Sequence, residues 1–252
     1  AEIVVMFSTI FVGSWLSTVN PPEREVVSSP ALLVTGLEMP EPPTFSSVLL
    51  AYDADGLMLG LLILAVALYI KGVVILSRRG DKWPVGRTIA FALGISAIDF
   101  ATSGGLGVYS RFAFSNHMLS HMVLGMIAPI GIVLGAPITL ALRTLPVGRS
   151  KDERGIRGAF IAMLHSKLSN FSTHPVVALA IFDGSLFALY FTPLFSNLMQ
   201  GHSGHFFMSI HFLLAGILFF QVLIGIDPMP RKVPHIVKMI IIFAAMSIHA
   251  FF

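Results

Sequence analysis

Apolar residues in this chain run on for the thickness of a bilayer instead of recurring every third or fourth position. Six or seven stretches qualify, at about 3–19, 57–76, 88–107, 117–142, 175–193, 204–225 and 236–252. Each approaches the roughly 20 apolar residues that cross a hydrocarbon core. The last run is still apolar at Phe252. The pattern predicts an all-α polytopic transmembrane helical bundle with about seven visible spans, the last of them truncated. Leu57 to Leu76 contains no proline and reads as a plain helix. Gly104-Gly105-Leu106-Gly107 ends the next one, and Pro129 and Pro137 predict a kink in the long 117–142 run.

The polar segments between these runs alternate in charge. Loop 77–87 carries Arg78, Arg79, Lys82 and Arg87 against Asp81. Loop 143–174 carries Arg143, Arg149, Lys151, Arg154, Arg157 and Lys167 against Asp152 and Glu153. Loop 226–235 has Arg231 and Lys232 against Asp227. The intervening segments are poor in basic residues. Segment 20–56 is acidic with Arg24 alone, 108–116 has only Arg111, and 194–203 has no charge. Positive-inside bias therefore places the three basic loops in the cytoplasm and predicts a multi-pass protein of the cytoplasmic membrane. The Pro-, Ser- and Glu-rich stretch after the first run reads as a linker, and Phe45 to Tyr52 suits a short helix at the membrane surface.

Composition agrees. Of 252 residues, 55% are hydrophobic and 12% charged, against about 25% charged in soluble domains. The net charge of +3 follows from the cytoplasmic loops and implies no nucleic-acid partner. The absence of cysteine excludes disulfides, zinc ribbons and thiol redox chemistry. The chain begins at Ala1 without a methionine and is expected to be part of a longer polypeptide.

What remains unusual is nine histidines and twelve methionines, many inside or at the edge of spans. Imidazole and thioether suit copper, and polar groups inside a membrane are costly unless they have a use. His117 and His121 are four apart, on one face of a helix, with Met118, Met122 and Met126 on the adjacent stripe. His202, His205, Met208 and His211 begin the helix that returns from the same outer face, and His249 is expected to reach the outer half as well. Histidines from three helices thus converge at one depth. The plainer reading has them capping helices or hydrogen-bonding across a bundle. His165, His174 and His235 fall in or beside the basic loops and read as solvated or capping. Asp99 and Asp183 lie within spans, as candidates for a proton relay or for orienting a ligating histidine. No phosphate loop, dinucleotide fingerprint or Ser-His-Asp order is present, so an enzyme is not expected.

NHMLSHMVLGMIAPIGIVLGAPITLALR at 116–143, HFLLAGILFFQVLIGIDPMPR at 211–231 and MSIHAFF at 246–252 resemble the CtaG-type cytochrome c oxidase assembly factors. Residues 1–22 are similar to the last helix of a CopD copper-resistance domain, a fusion typical of actinobacteria. The resemblance implies three parts: 1–22 as the end of a CopD-like domain, 23–47 as an extracytoplasmic linker, and 48–252 as a six-helix CtaG-like body. It implies copper, as Cu(I), on His117, His121, His205, His211 and His249, with Met118 and Met122 beside them and His202 at a further matching position. The implied partners are the catalytic subunit of an aa3-type oxidase, the lipid bilayer and a copper donor protein. A copper transporter or resistance protein, a b-type haem protein and a metal-free assembly subunit are the alternatives.

Overall fold

The computed structural model describes residues 31–32, 38–148, 155–199 and 202–251. The expected span at 3–19, and with it the CopD-like segment, lies outside them. Residues 39–252 form one compact unit, all-helical among its described residues, and the chain is an α-helical membrane protein.

Thr44 opens a short helix, α1 (Phe45–Leu50), through a capping box with Ser47. Asp55 caps α2 (Gly56–Arg78) by accepting from the amides of Leu57 and Met58. Next come α3 (Val85–Thr102) and α4 (Gly105–Ser110). The long apolar run becomes α5 (Phe114–Met122), a π turn (Val123–Ile127), α6 (Ala128–Leu134) and α7 (Pro137–Thr144). Then follow α8 (Ile156–Leu164), α9 (Lys167–Ser172), α10 (Pro175–Tyr190), α11 (Leu194–Met199), α12 (His202–Ile224) and α13 (His235–Phe251). Among the described residues, four helical segments are long and apolar enough to cross a membrane: Gly56–Arg78, Val85–Thr102, Phe114–Thr144 and Ser203–Ile224. Ile156–Ser172 and Pro175–Tyr190 meet at 67° and make a fifth when taken together. Segment 143–174, expected as a loop, is therefore partly helical, because the apolar run Ala159 to Leu164 lies between its basic residues. The expected helix over 88–107 ends instead at Thr102 and restarts at Gly105.

The central helix α5–α6 lies between α3 and α12. Pro129 has no N–H to give the Gly125 carbonyl, and the π turn absorbs that missing bond. The second break falls at Ala136, buried and left-handed at φ 49°, just before Pro137 opens α7. Asp227, in the Ile-Asp-Pro turn after α12, caps α7 from a distance. Its carboxylate accepts from the Ile138 amide at 3.1 Å, the Thr139 amide at 2.7 Å and the Thr139 hydroxyl. Asp227 is buried, so Asp227→Ala leaves two amides unsatisfied and should cost about 2–3 kcal/mol. Thermal unfolding in detergent measures it, and Asp227→Asn should recover part of the loss.

Large apolar side chains cover the outside. Leu57, Ile63, Leu64 and Leu68 on α2 and Ile236, Met239, Ile240 and Phe243 on α13 are all exposed. Such an exterior requires lipid.

Candidate metal centre

Three imidazoles meet where α5 packs beside the start of α12. Their placement follows from helical spacing: His117 and His121 lie one turn apart on the inward face of α5, both buried. Ser120, between them, donates its hydroxyl to the Ala101 carbonyl at 2.7 Å and ties that face to α3. His205 enters from the first turn of α12, half-buried. His117 Nε2 and His121 Nε2 are 3.0 Å apart. Ring centroids lie 5.5 Å apart for His117 and His205 and 6.1 Å apart for His121 and His205.

One donor nitrogen from each ring falls within 4.8 Å of the others. An ion bound to three nitrogens at about 2.0–2.1 Å in a plane would set them about 3.5 Å apart. The 3.0 Å pair lies just short of that value and the third donor lies within 4.8 Å, so ring rotations would bring all three donors to an ion. With Nε2 facing Nε2, one ring donates and the other accepts, which leaves the Nδ1 atoms to find partners elsewhere. His121 Nδ1 is buried with none. His117 Nδ1 makes no hydrogen bond of good geometry, although the ring interacts with the Ser110 backbone. A buried polar atom left unsatisfied costs about 1–3 kcal/mol.

The walls are aromatic. Phe195, on α11, meets His117 edge-on at 5.4 Å, and Phe114 stacks on it at 6.3 Å. Phe212 lies beneath His121 at 4.5 Å. Tyr190 packs on Phe195 at 5.0 Å. None of these aromatics was expected from the sequence; for Phe195 the FTPLF pattern at 191–195, between two spans, was the available signal.

The remaining expected residues lie elsewhere. His211 is exposed on α12, roughly 120° around the helix from His205. His202 opens α12, but its side chain lies outside the described residues. Met118 and Met122 are half-buried on the stripe about 100° from the histidine face. Met126 packs against Phe182 and Phe219, and the buried Met208 against Leu186, Leu189 and Phe212. His249 joins α13 to α10: its Nδ1 lies 2.7 Å from Asp183 Oδ1, and its ring stacks on Phe182. Asp183 is thus the orienting carboxylate of a histidine outside the triad. Asp99 sits one turn from the end of α3 and accepts from the Tyr52 hydroxyl at 3.2 Å, while Arg111 pairs with Asp53 at 2.7 Å. His165, His174 and His235 all stand at helix ends.

A family model described as the cytochrome c oxidase caa3 assembly factor matches residues 67–252. An uncharacterized protein of Mycobacterium bovis and one of Mycobacterium tuberculosis are each 43% identical over 217 residues, 86% of this chain and 33% of their own length. One of Mycobacterium leprae is 41% identical over the same length. The chain thus spans about a third of the curated relatives it matches. No solved structure matches it.

Proposed function

Because the chain belongs to the caa3 cytochrome c oxidase assembly-factor family, we propose that it carries one Cu(I) ion on His117, His121 and His205 and delivers it to the copper-and-haem centre of an aa3-type oxidase. The observation behind this reading is the buried triad itself: three neutral imidazoles from two helices, with donors within 4.8 Å and aromatic walls. Imidazole suits copper better than it suits hard cations. Neutral ligands keep the empty site uncharged, so its burial costs far less than burial of carboxylates would. A monovalent ion then adds only a single charge. Three-coordination leaves room for an incoming ligand, so the ion can pass to the oxidase by ligand exchange. The role is that of a carrier with no catalytic step.

The alternation of basic loops supports a triad that faces the extracytoplasmic side of the cytoplasmic membrane. A haem is a poorer occupant. Axial ligation needs rings facing one another across a porphyrin, whereas His117 Nε2 and His121 Nε2 are already in contact.

The test is the oxidase itself. Oxidase purified from cells lacking this protein, or carrying His117→Ala with His121→Ala, should keep its haem and lose most of the copper of its copper-and-haem centre. Full copper loading in the double variant would overturn the reading.

A further inference from the structure

A second site lies on the lipid-facing side of the body. α2, α3, α6, α7 and α12 enclose an apolar groove of about 710 Å³. It runs along α2 from Met58 to Ile75 and ends on Thr144, Leu145 and Pro146 after α7. At 1.5 Å per residue its length is about 26 Å. The groove is wide enough for a hydrocarbon chain. Imidazole is absent from its described lining, so it offers haem no axial ligand.

Its charge is confined to one end. Lys71 is the charged residue among the described lining, exposed and about 10 Å from the end of α2, with a stem long enough to bring its ammonium to the interface. At the same end Arg79 donates to the Arg143 carbonyl at 3.0 Å, next to Thr144 on the groove floor. Arg143 itself pairs with Asp81 at 3.5 Å and lies over the Trp83 ring at 6.0 Å. Three cations therefore stand toward this end of an apolar slot, with Asp81 paired to one of them.

We propose that this groove holds an acyl chain of an anionic phospholipid, from the leaflet on the side of the basic loops, with its phosphate held by Lys71, Arg79 and Arg143. From Lys71 to Met58 the slot is about 20 Å long, enough for a chain that fills its own leaflet of a roughly 30 Å core. The lipid would fill the gap between α2 and α12. This site is independent of copper binding.

The test uses the full chain, purified in mild detergent and washed, with retained phospholipid quantified by mass spectrometry. Wild-type protein should keep about one anionic phospholipid per chain. Lys71→Gln should lower that several-fold and Lys71→Arg should restore it. Ala65→Trp, which fills the slot and leaves the cations in place, should remove the lipid with copper content unchanged. Equal retention of anionic and zwitterionic lipids, indifferent to Lys71, would overturn the proposal. So would a photo-crosslinker at position 65 that captures another polypeptide in place of lipid.

Discussion

Replacing His121 with alanine should lower copper affinity by at least about 100-fold, the equivalent of roughly 2.7 kcal/mol. Among the described residues three donors converge and no carboxylate joins them, so the loss of one leaves a two-nitrogen site. His117→Ala and His205→Ala should match it. His211→Ala should leave copper bound, because that ring is exposed on another face of α12. Metal content by mass spectrometry, with affinity by competition against a Cu(I) chelator, separates the four variants. Stability adds a second signature. His117→Leu with His121→Leu removes the 3.0 Å pair together with the buried, unpartnered Nδ1 of His121. Replacing both partners of a buried polar pair by apolar groups is neutral or stabilising when the pair carries unsatisfied atoms. The metal-free double variant should melt at or above the wild-type temperature. Histidines serving structure alone would show a drop of several degrees and no change in copper.

The second large effect is expected far from any ligand. α12 meets the π turn at Gly216, where an added Cβ would lie 2.1 Å from the Gly125 carbonyl oxygen and 2.7 Å from Pro129 Cγ. That carbonyl is the one Pro129 leaves without its helical bond, so the break in the ladder and the close approach of α12 belong together. Gly216→Leu must push the helices apart by an ångström or more. It should cost at least about 3 kcal/mol by overpacking. His205 rides on the same helix about 16 Å away, and the triad depends on its distance from α5. Copper affinity in Gly216→Leu should therefore fall at least about tenfold although all three ligands are intact. Gly60→Ala is the control: nothing lies within 4 Å of its added Cβ, and both properties should stay as they are. Unchanged copper affinity in a destabilised Gly216→Leu would show that the triad does not depend on this contact.

The helices were legible because lipid demands long uninterrupted apolar runs. The pairing of His117 with His121 was legible for an equally local reason, since four residues make one turn. The same arithmetic separates His211 from His205 by roughly a third of a turn, and the expectation that both face one pocket overlooked it. His249 was placed by counting residues from the start of its helix, which assumes that all helices begin at one depth. α13 instead sets His249 beside Asp183, midway along α10. Pairings of that kind depend on the relative offset of helices, which no local period encodes. The cap of α7 by Asp227 and the aromatic walls around the triad are long-range in the same sense. Pro129 announced a break, but the π turn that it took depended on how closely α12 packs.

X-ray absorption at the copper edge of the purified, copper-loaded protein reads the ligands themselves. Expected are one copper per chain, an edge characteristic of Cu(I), and a shell of three imidazole nitrogens at about 2.0 Å without sulfur, lost in His121→Ala. A shell dominated by sulfur, or one that persists unchanged in His121→Ala, would contradict copper binding at the triad.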